Sequence, residues 1–327
     1  MISGIVTIGC WLASLVLRLV NTFFISEKNS NIKIDKIVRT LLDSRVIGIV
    51  SCVFICLLIY KCFVYYRDAD RRLFLYSQKI HDLTHEYRNL NFRLKSDLEI
   101  NSLRLIDVTE RVSCFSLDIL DSLCDVISDV VRQPVYGCIK LVDATGNTPI
   151  SSTEIKKATV STFNRSSNTP TERLKDRIPH KNFVCDNTDY MELMDHNNIR
   201  NQFYQPNLLE YDKKLRQDDH EYKNSSSDWS SNYLSTIVVP IQISYKCLNL
   251  SEEYAEYKDS YNVMGFLCLD AKNGGVFKRK FKDPICNFAK AYADLLYCLF
   301  DLYKYSLNEV SNEDYRRKYI ERYQKGM

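Results

Sequence analysis

The sequence predicts an α+β protein in which two N-terminal transmembrane helices and a long helical stalk lead into an antiparallel sheet with helices packed on it. Three observations predict this. Two long apolar runs open the chain, a stretch without Pro or Gly follows them, and the second half alternates short apolar strand patterns with amphipathic helical ones. The chain then divides into spans at 1–25 and 46–66 joined by 26–45, and a stalk at 67–112. A sheet-and-helix domain follows at 113–307 with a polar insertion at 197–233, then a charged helix or tail at 308–327.

The first span is "ISGIVTIGCWLASLVLRLVNTFFI" (Ile2 to Ile25), long enough for a hydrocarbon core that takes about 20 residues. Arg18 interrupts it, to snorkel or to face a partner helix. A signal peptide is the competing reading, but no basic region precedes the run. The second span, "VIGIVSCVFICLLIYKCFVYY" (Val46 to Tyr66), ends in Tyr60, Phe63, Tyr65 and Tyr66, as an interfacial belt does. Basic residues flank it on both sides, so the positive-inside rule gives no orientation.

Composition excludes several classes. The 327 residues hold 44 Lys and Arg against 41 Asp and Glu, so no basic field points to nucleic acid. Twelve cysteines include no CxxC and no metal-type Cys/His spacing, and many sit in apolar runs. This reads as a reducing compartment with no zinc site, no disulfide framework and no cofactor. The expected placement is the inner membrane, two spans, with the C-terminal domain in the cytoplasm.

From Arg67 to Arg132 there is no Pro or Gly, and Tyr76, Ile80, Leu83, Tyr87, Leu90 and Leu94 repeat at heptad spacing. Leu98, Leu105 and Val112 continue the seam with an offset, a stutter. The expectation is a parallel stalk that forms a homodimer; a single helix packed on its own domain is the alternative. On its flank lies "HDLTHEYRNLNFRL" (His81 to Leu94). A zinc protease needs the order HExxH, whereas His81, His85 and Glu86 give HxxxHE. "THEYRNL" resembles the phosphoacceptor box of histidine kinases through His85, Glu86, Arg88 and Asn89, with Leu90 where that family has Pro. No ATP-binding kinase boxes follow, so His85 would be an acceptor for another protein's phosphate. The plainer reading, which we carry forward, makes both histidines solvated flank residues.

The second half begins with a helix, "SLDILDSLCDVISDVVRQP" (Ser116 to Pro134), closed by its proline. "VYGCIKLVDATG" and "ATVSTFNRS" (Ala158 to Ser166) read as strands, the first turning at Asp143 and Gly146. "NFVCDNTDYMELMDH" (Asn182 to His196) reads as a short strand and a helix that Asn187 or Thr188 caps. Residues 197–233 read as a long polar loop able to cover a pocket. "LSTIVVPIQIS" and "NVMGFLCLDAK" are strands, and a long helix opens at Asp283 and Pro284, with Asp283 as cap.

The order of "LSTIVVPIQ", "VMGFLCLDAK", Phe281 and "ICNFAKAYADLLYCL" is similar to the C-terminal half of GAF domains, and "FVCDNTDYMEL" resembles their strand into the pocket-side helix. The resemblance rests on element order and on Pro240, Gly265, Leu267, Leu269 and Asp270, over Ser113 to Leu307. It implies a small-molecule pocket between sheet and short helices, lined by Phe183, Asp186, Tyr190 and Thr236. The cyclic-nucleotide NKFDE set, a bilin-attachment cysteine and a haem histidine pair are all unrecognisable here.

No GxSxG, P-loop or dinucleotide-binding turn is present, and the five histidines form no catalytic spacing. The expected function is a membrane-anchored, non-enzymatic receptor whose GAF-like domain binds a small ligand, with a nucleotide as the candidate, or a partner, and signals through the stalk. The alternative is a ligand-gated, membrane-disrupting effector of antiviral nucleotide signalling; a third reading is an interaction scaffold. Membrane lipid and a second copy of the chain are the expected partners.

Overall fold

The computed structural model describes residues 44–99, 104–143, 157–174, 182–194, 202–225, 228–244 and 261–325. In chain order these form α1 (Ser44–Glu99), α2 (Leu105–Val131), β1 (Tyr136–Asp143), β2 (Thr159–Arg165) and the one-turn α3 (Thr171–Leu174). Then come β3 (Asn182–Phe183), a 3₁₀ turn (Val184–Asp186), α4 (Thr188–Leu193), β4 (Phe203–Gln205) and α5 (Leu208–Gln217). The one-turn α6 (Trp229–Asn232), β5 (Ser235–Ser244), β6 (Tyr261–Ala271), a 3₁₀ turn (Arg279–Phe281) and α7 (Lys282–Lys325) complete the order. The chain divides into two compact units, residues 1–75 and 76–327.

All pairings in the six-stranded sheet are antiparallel, in the order β3-β2-β1-β6-β5-β4. Side chains alternate across it. In β6, Leu267, Leu269 and Ala271 enter one apolar cluster while Phe266 and Cys268 enter another; in β5, Ile237, Val239 and Ile241 oppose Val238. The first cluster lies under α2 and α7. Their apolar faces, Val112, Ile119, Leu123 and Ile127 from one and Ile285, Ala289, Leu296 and Phe300 from the other, recur at helical spacing and are buried there. Close approach demands two glycines. A Cβ at Gly137 would stand 2.5 Å from Leu120, and one at Gly265 only 1.9 Å from the Lys140 carbonyl oxygen. Among the described residues β4 pairs with Thr236, Ile237 and Val238 of β5, so none of these pairings calls on the N–H that Pro240 lacks. Helix α2 ends at Arg132, whose φ of 58° places it in the left-handed region two residues before Pro134.

Several expectations are corrected. Among the described residues, no helix is long and apolar enough to cross a membrane. The segment expected as the second span, Val46–Tyr66, lies within α1, whose side chains are described from Phe54. From there the run meets Lys61 and then Arg67 and Asp68, well short of about 20 apolar residues. The fold class with a two-helix membrane anchor and the multi-pass inner-membrane placement are therefore withdrawn. The first expected span, Ile2–Ile25, lies outside the described residues. The heptad seam does not stand free of the domain. Leu83 and Leu94 are buried and Tyr87, Leu90 and Leu98 half-buried in the same cluster as α2 and α7. Tyr87 donates to the Cys298 carbonyl at 3.4 Å and Lys79 pairs with Asp125 at 3.2 Å, so this part of α1 packs on its own domain. The polar insertion contains β4, α5 and α6. Helix α7 begins at Lys282 as expected, with Asp283 inside its first turn rather than capping it, and runs on through the segment expected as a charged helix or tail to Lys325.

Candidate functional site

The other face of the sheet differs in kind. It is covered by short elements, α4, α5 and the segment around Tyr222 and Tyr233, and its apolar cluster surrounds buried charge. The alternation that sends Leu269 and Ala271 towards α2 and α7 sends Asp270 the opposite way, and the same parity places Thr236 of β5 and Tyr136 of β1 beside it. Asp270 pairs with Tyr136 and with Thr236 in register, so three strands present side chains at one level.

Arg173 reaches this level from α3. The turn that carries it is bolted to its neighbours. The Ser166 N–H donates to the Gly137 carbonyl at 2.9 Å, and the Gly137 N–H donates to Ser166 Oγ at 2.8 Å. Asn168 Nδ2 donates to the Val135 carbonyl, and both the N–H and hydroxyl of Ser167 donate to Asp121. The Arg173 N–H then donates to the Pro170 carbonyl, which starts the single helical turn. Thus anchored, Arg173 places Nη2 2.8 Å from Asp270 Oδ2, while Thr236 Oγ1 donates to Asp270 Oδ1 at 2.8 Å. The rings of Tyr136 and Tyr233 lie 5.7 and 5.4 Å from the guanidinium carbon. Both ionic side chains are about nine-tenths buried. Burial works against the guanidinium charge, but the Asp270 charge and hydrogen bond outweigh it and hold the Arg173 pKa above its usual value. One guanidinium nitrogen, Nη1, is buried without a hydrogen-bond partner among the described residues.

A second carboxylate faces the same region. Asp189, in the first turn of α4, is 4% exposed and accepts the Tyr190 N–H at 3.0 Å. Burial pushes its pKa up to about 7, and the Asp270 charge adds to the rise. Beside it the Tyr190 ring stacks on Phe266, centroids 4.1 Å apart and planes 7° from parallel, and its hydroxyl lies 3.5 Å from Cys268 Sγ. Tyr233 accepts from Asn224 Nδ2 at 2.7 Å. Burial raises the pKa of Tyr190, Tyr233 and Cys268, so all three are neutral at physiological pH.

The four nominated lining residues separate into two pairs. Tyr190 and Thr236 are buried on this face. Phe183 lies on the edge strand β3, 38% exposed, and Asp186 is exposed and closes its 3₁₀ turn by accepting the Phe183 N–H at 3.1 Å. Neither of these two contacts the Arg173 cluster. Asn187 precedes α4 as expected but does not cap it with its side chain; it donates instead to the Phe183 carbonyl and accepts the Ser225 N–H. Arg173, Asp189, Tyr136 and Tyr233 were missed. Their one sequence signal is a charged residue beside Pro170 and another inside "TDYMEL", each looking like surface helix.

His85 stands exposed on α1, its ring 4.4 Å from that of His81 and its Nδ1 3.0 Å from Arg88 Nη2. Among the described residues, no group of three or more His, Cys, Asp or Glu is placed to hold a metal ion. A groove of about 390 Å³ lined by Arg216, Asp219, His220, Glu221 and Lys223 lies after α5; all five side chains are exposed, and none belongs to the buried cluster.

No protein-family model matches the chain, and no curated protein does. Several solved structures are similar, three of them as follows. A type II free methionine-R-sulfoxide reductase from Thermoplasma acidophilum is 9% identical, with 57% of this chain and 96% of that one covered, at a TM-score of 0.32. The GAF domain of an Acinetobacter phosphoenolpyruvate-protein phosphotransferase is 13% identical, with 60% and 91% covered, at 0.31. A far-red cyanobacteriochrome photoreceptor is 12% identical, with 57% and 86% covered, at 0.29. With scores this low, the reading of the site rests on the side-chain geometry above.

Proposed function

We propose that this chain is a non-enzymatic receptor in which a GAF-like domain senses a small molecule on the Arg173–Asp270 face of its sheet. The single observation that carries the reading is that buried ion pair, with Asp189 beside it, on the face covered by short helices. Taking two charges out of water costs several kcal/mol per ion before their attraction returns it, so a buried pair is a poor way to stabilise a core. The same sheet shows the cheaper solution on its other face, where α2 and α7 seal it with Leu, Ile, Val and Phe. Buried ionisable groups with displaced pKa values concentrate where ligands bind. Alternation supplies a route for the response: a displacement of Asp270 or Cys268 moves Leu269 and Leu267, their neighbours in β6, beneath α2 and α7.

The test is thermal unfolding of the full chain against nucleotides, nucleobases, amino acids and other metabolites. A ligand present at 100 times its dissociation constant adds about 2.7 kcal/mol, a shift of several degrees. The expected result is stabilisation by one chemical class, weakened at least tenfold in Thr236→Val. A binder whose affinity ignores both Thr236→Val and Asp189→Asn sits elsewhere and overturns the assignment. A broad panel that leaves the melting temperature unmoved overturns the receptor reading itself.

A further inference from the structure

The unpartnered Nη1 of Arg173 and the charges around it restrict what the site takes. A guanidinium offers five N–H donors in one plane and accepts nothing. Here Nη2 is used by Asp270, the neighbouring rings of Tyr136 and Tyr233 offer π-faces rather than lone pairs, and Nη1 is buried with no acceptor among the described residues. A buried N–H left in that state bears its full desolvation cost, which an incoming acceptor relieves. The guanidinium charge, however, is already matched. Asp270 neutralises it at 2.8 Å, and Asp189 lies on the same face as a second carboxyl group coupled to Asp270. Tyr190, Tyr233 and Cys268 contribute no charge. A phosphate or carboxylate entering here would add a negative charge where the described residues supply no positive one beyond Arg173, at low dielectric, which is heavily penalised.

We infer that the ligand is an uncharged molecule that presents a neutral acceptor, a carbonyl oxygen or ring nitrogen, to Nη1 of Arg173, on a flat ring system held by the surrounding tyrosines. This rests on the receptor reading above and narrows it: nucleobases, lactams and aryl amides fit, whereas nucleotides and small acids do not. Asp270 and Thr236 are positioning residues, which hold the guanidinium plane through the 2.8 Å contacts that each makes at the carboxylate. The tyrosines give the ring system its aromatic neighbours, as Tyr190 gives Phe266.

The experiment uses the full chain and matched neutral and anionic compounds: benzamide with benzoate, nicotinamide with nicotinate, and uridine and adenosine with their monophosphates. Melting temperature and calorimetric affinity are read at constant ionic strength. Neutral members should stabilise and their anionic counterparts should bind at least tenfold more weakly. Because Arg173→Met alone strands a buried carboxylate, the control is the double variant Arg173→Met/Asp270→Asn, its fold checked by circular dichroism. It should lose the neutral ligands by at least tenfold. Anions binding as well as or better than their amides would overturn the inference, as would neutral binding that survives intact in the double variant. If only some other class binds, and Thr236→Val weakens it, the receptor reading stands and the neutral-acceptor assignment falls.

Discussion

Replacing Arg173 by Met tests the buried pair directly. The contact is 2.8 Å with both side chains about nine-tenths buried. At charge centres about 4 Å apart and an effective dielectric near 20, the attraction is about 4 kcal/mol. Removing the cation leaves Asp270 with only the Thr236 hydroxyl, and an uncompensated buried charge costs about 3–5 kcal/mol. Asp270→Asn alone should cost a similar amount, because Arg173 then keeps its charge with no counter-ion. The double variant removes both partners of the 2.8 Å contact and should recover most of the loss, leaving a coupling energy of about 3 kcal/mol in a double-mutant cycle, reduced to the extent that Asp189 on the same face ionises in Asp270→Asn. Urea unfolding of the four proteins measures it, with the slope m compared among them to confirm that the unfolded states match. A single-variant cost below about 1 kcal/mol, or costs that simply add in the double variant, would refute the claim that these charges are desolvated and coupled.

Other consequences are open to measurement. Asp189 has its folded-state pKa raised to about 7, so the folded chain holds a proton that the unfolded chain releases near 4. The contribution of this group is fully present below pH 4 and is lost as pH rises through 7, on the order of 3–4 kcal/mol. Asp189→Asn should flatten that slope in urea titrations from pH 5 to 8 and stabilise the chain at pH 8; an unchanged slope would show that another group titrates. Gly265→Ala should cost about 3 kcal/mol or prevent folding, because its methyl would meet the Lys140 carbonyl at 1.9 Å. Gly275→Ala meets no atom but sits at φ +77°, so denaturation should register only about 1–2 kcal/mol of backbone strain. Leu94→Ala, fully buried in α1, should cost about 2–5 kcal/mol, whereas Phe92→Ala, 73% exposed two residues before it on the opposite side of the helix, should fall within about 0.5. Equal effects would mean that α1 does not pack on its own domain.

Local pattern alone was enough for the elements that carry their own signature. β5, β6 and the start of α7 follow from alternation in "STIVVPIQIS" and "NVMGFLCLDA" and from the helical spacing after Pro284, because strand and helix periods depend on neighbours two to four residues away. Of the four residues nominated as pocket lining from element position, Tyr190 and Thr236 are buried on one face while Phe183 and Asp186 are exposed. Pattern failed wherever the deciding partner was distant. β4 is three residues long and exists because β5 pairs with it across the sheet, so residues 197–233 read as loop. The heptad seam of α1 is a genuine apolar stripe, but a stripe does not state its partner; α2 and α7 take Leu83 and Leu94. Hydropathy likewise scored the run before Tyr66 without reference to the helix that carries it on to Glu99. The heart of the candidate site was least legible. Arg173 and Asp270 are 97 residues apart in sequence; Arg173 alone resembles an ordinary surface charge, and Asp270 stands out only as the end of a strand pattern, with nothing to name its partner. Only the tertiary structure brings them together, because sheet parity turns Asp270 away from the helices and the Ser166–Gly137 lock swings α3 over it.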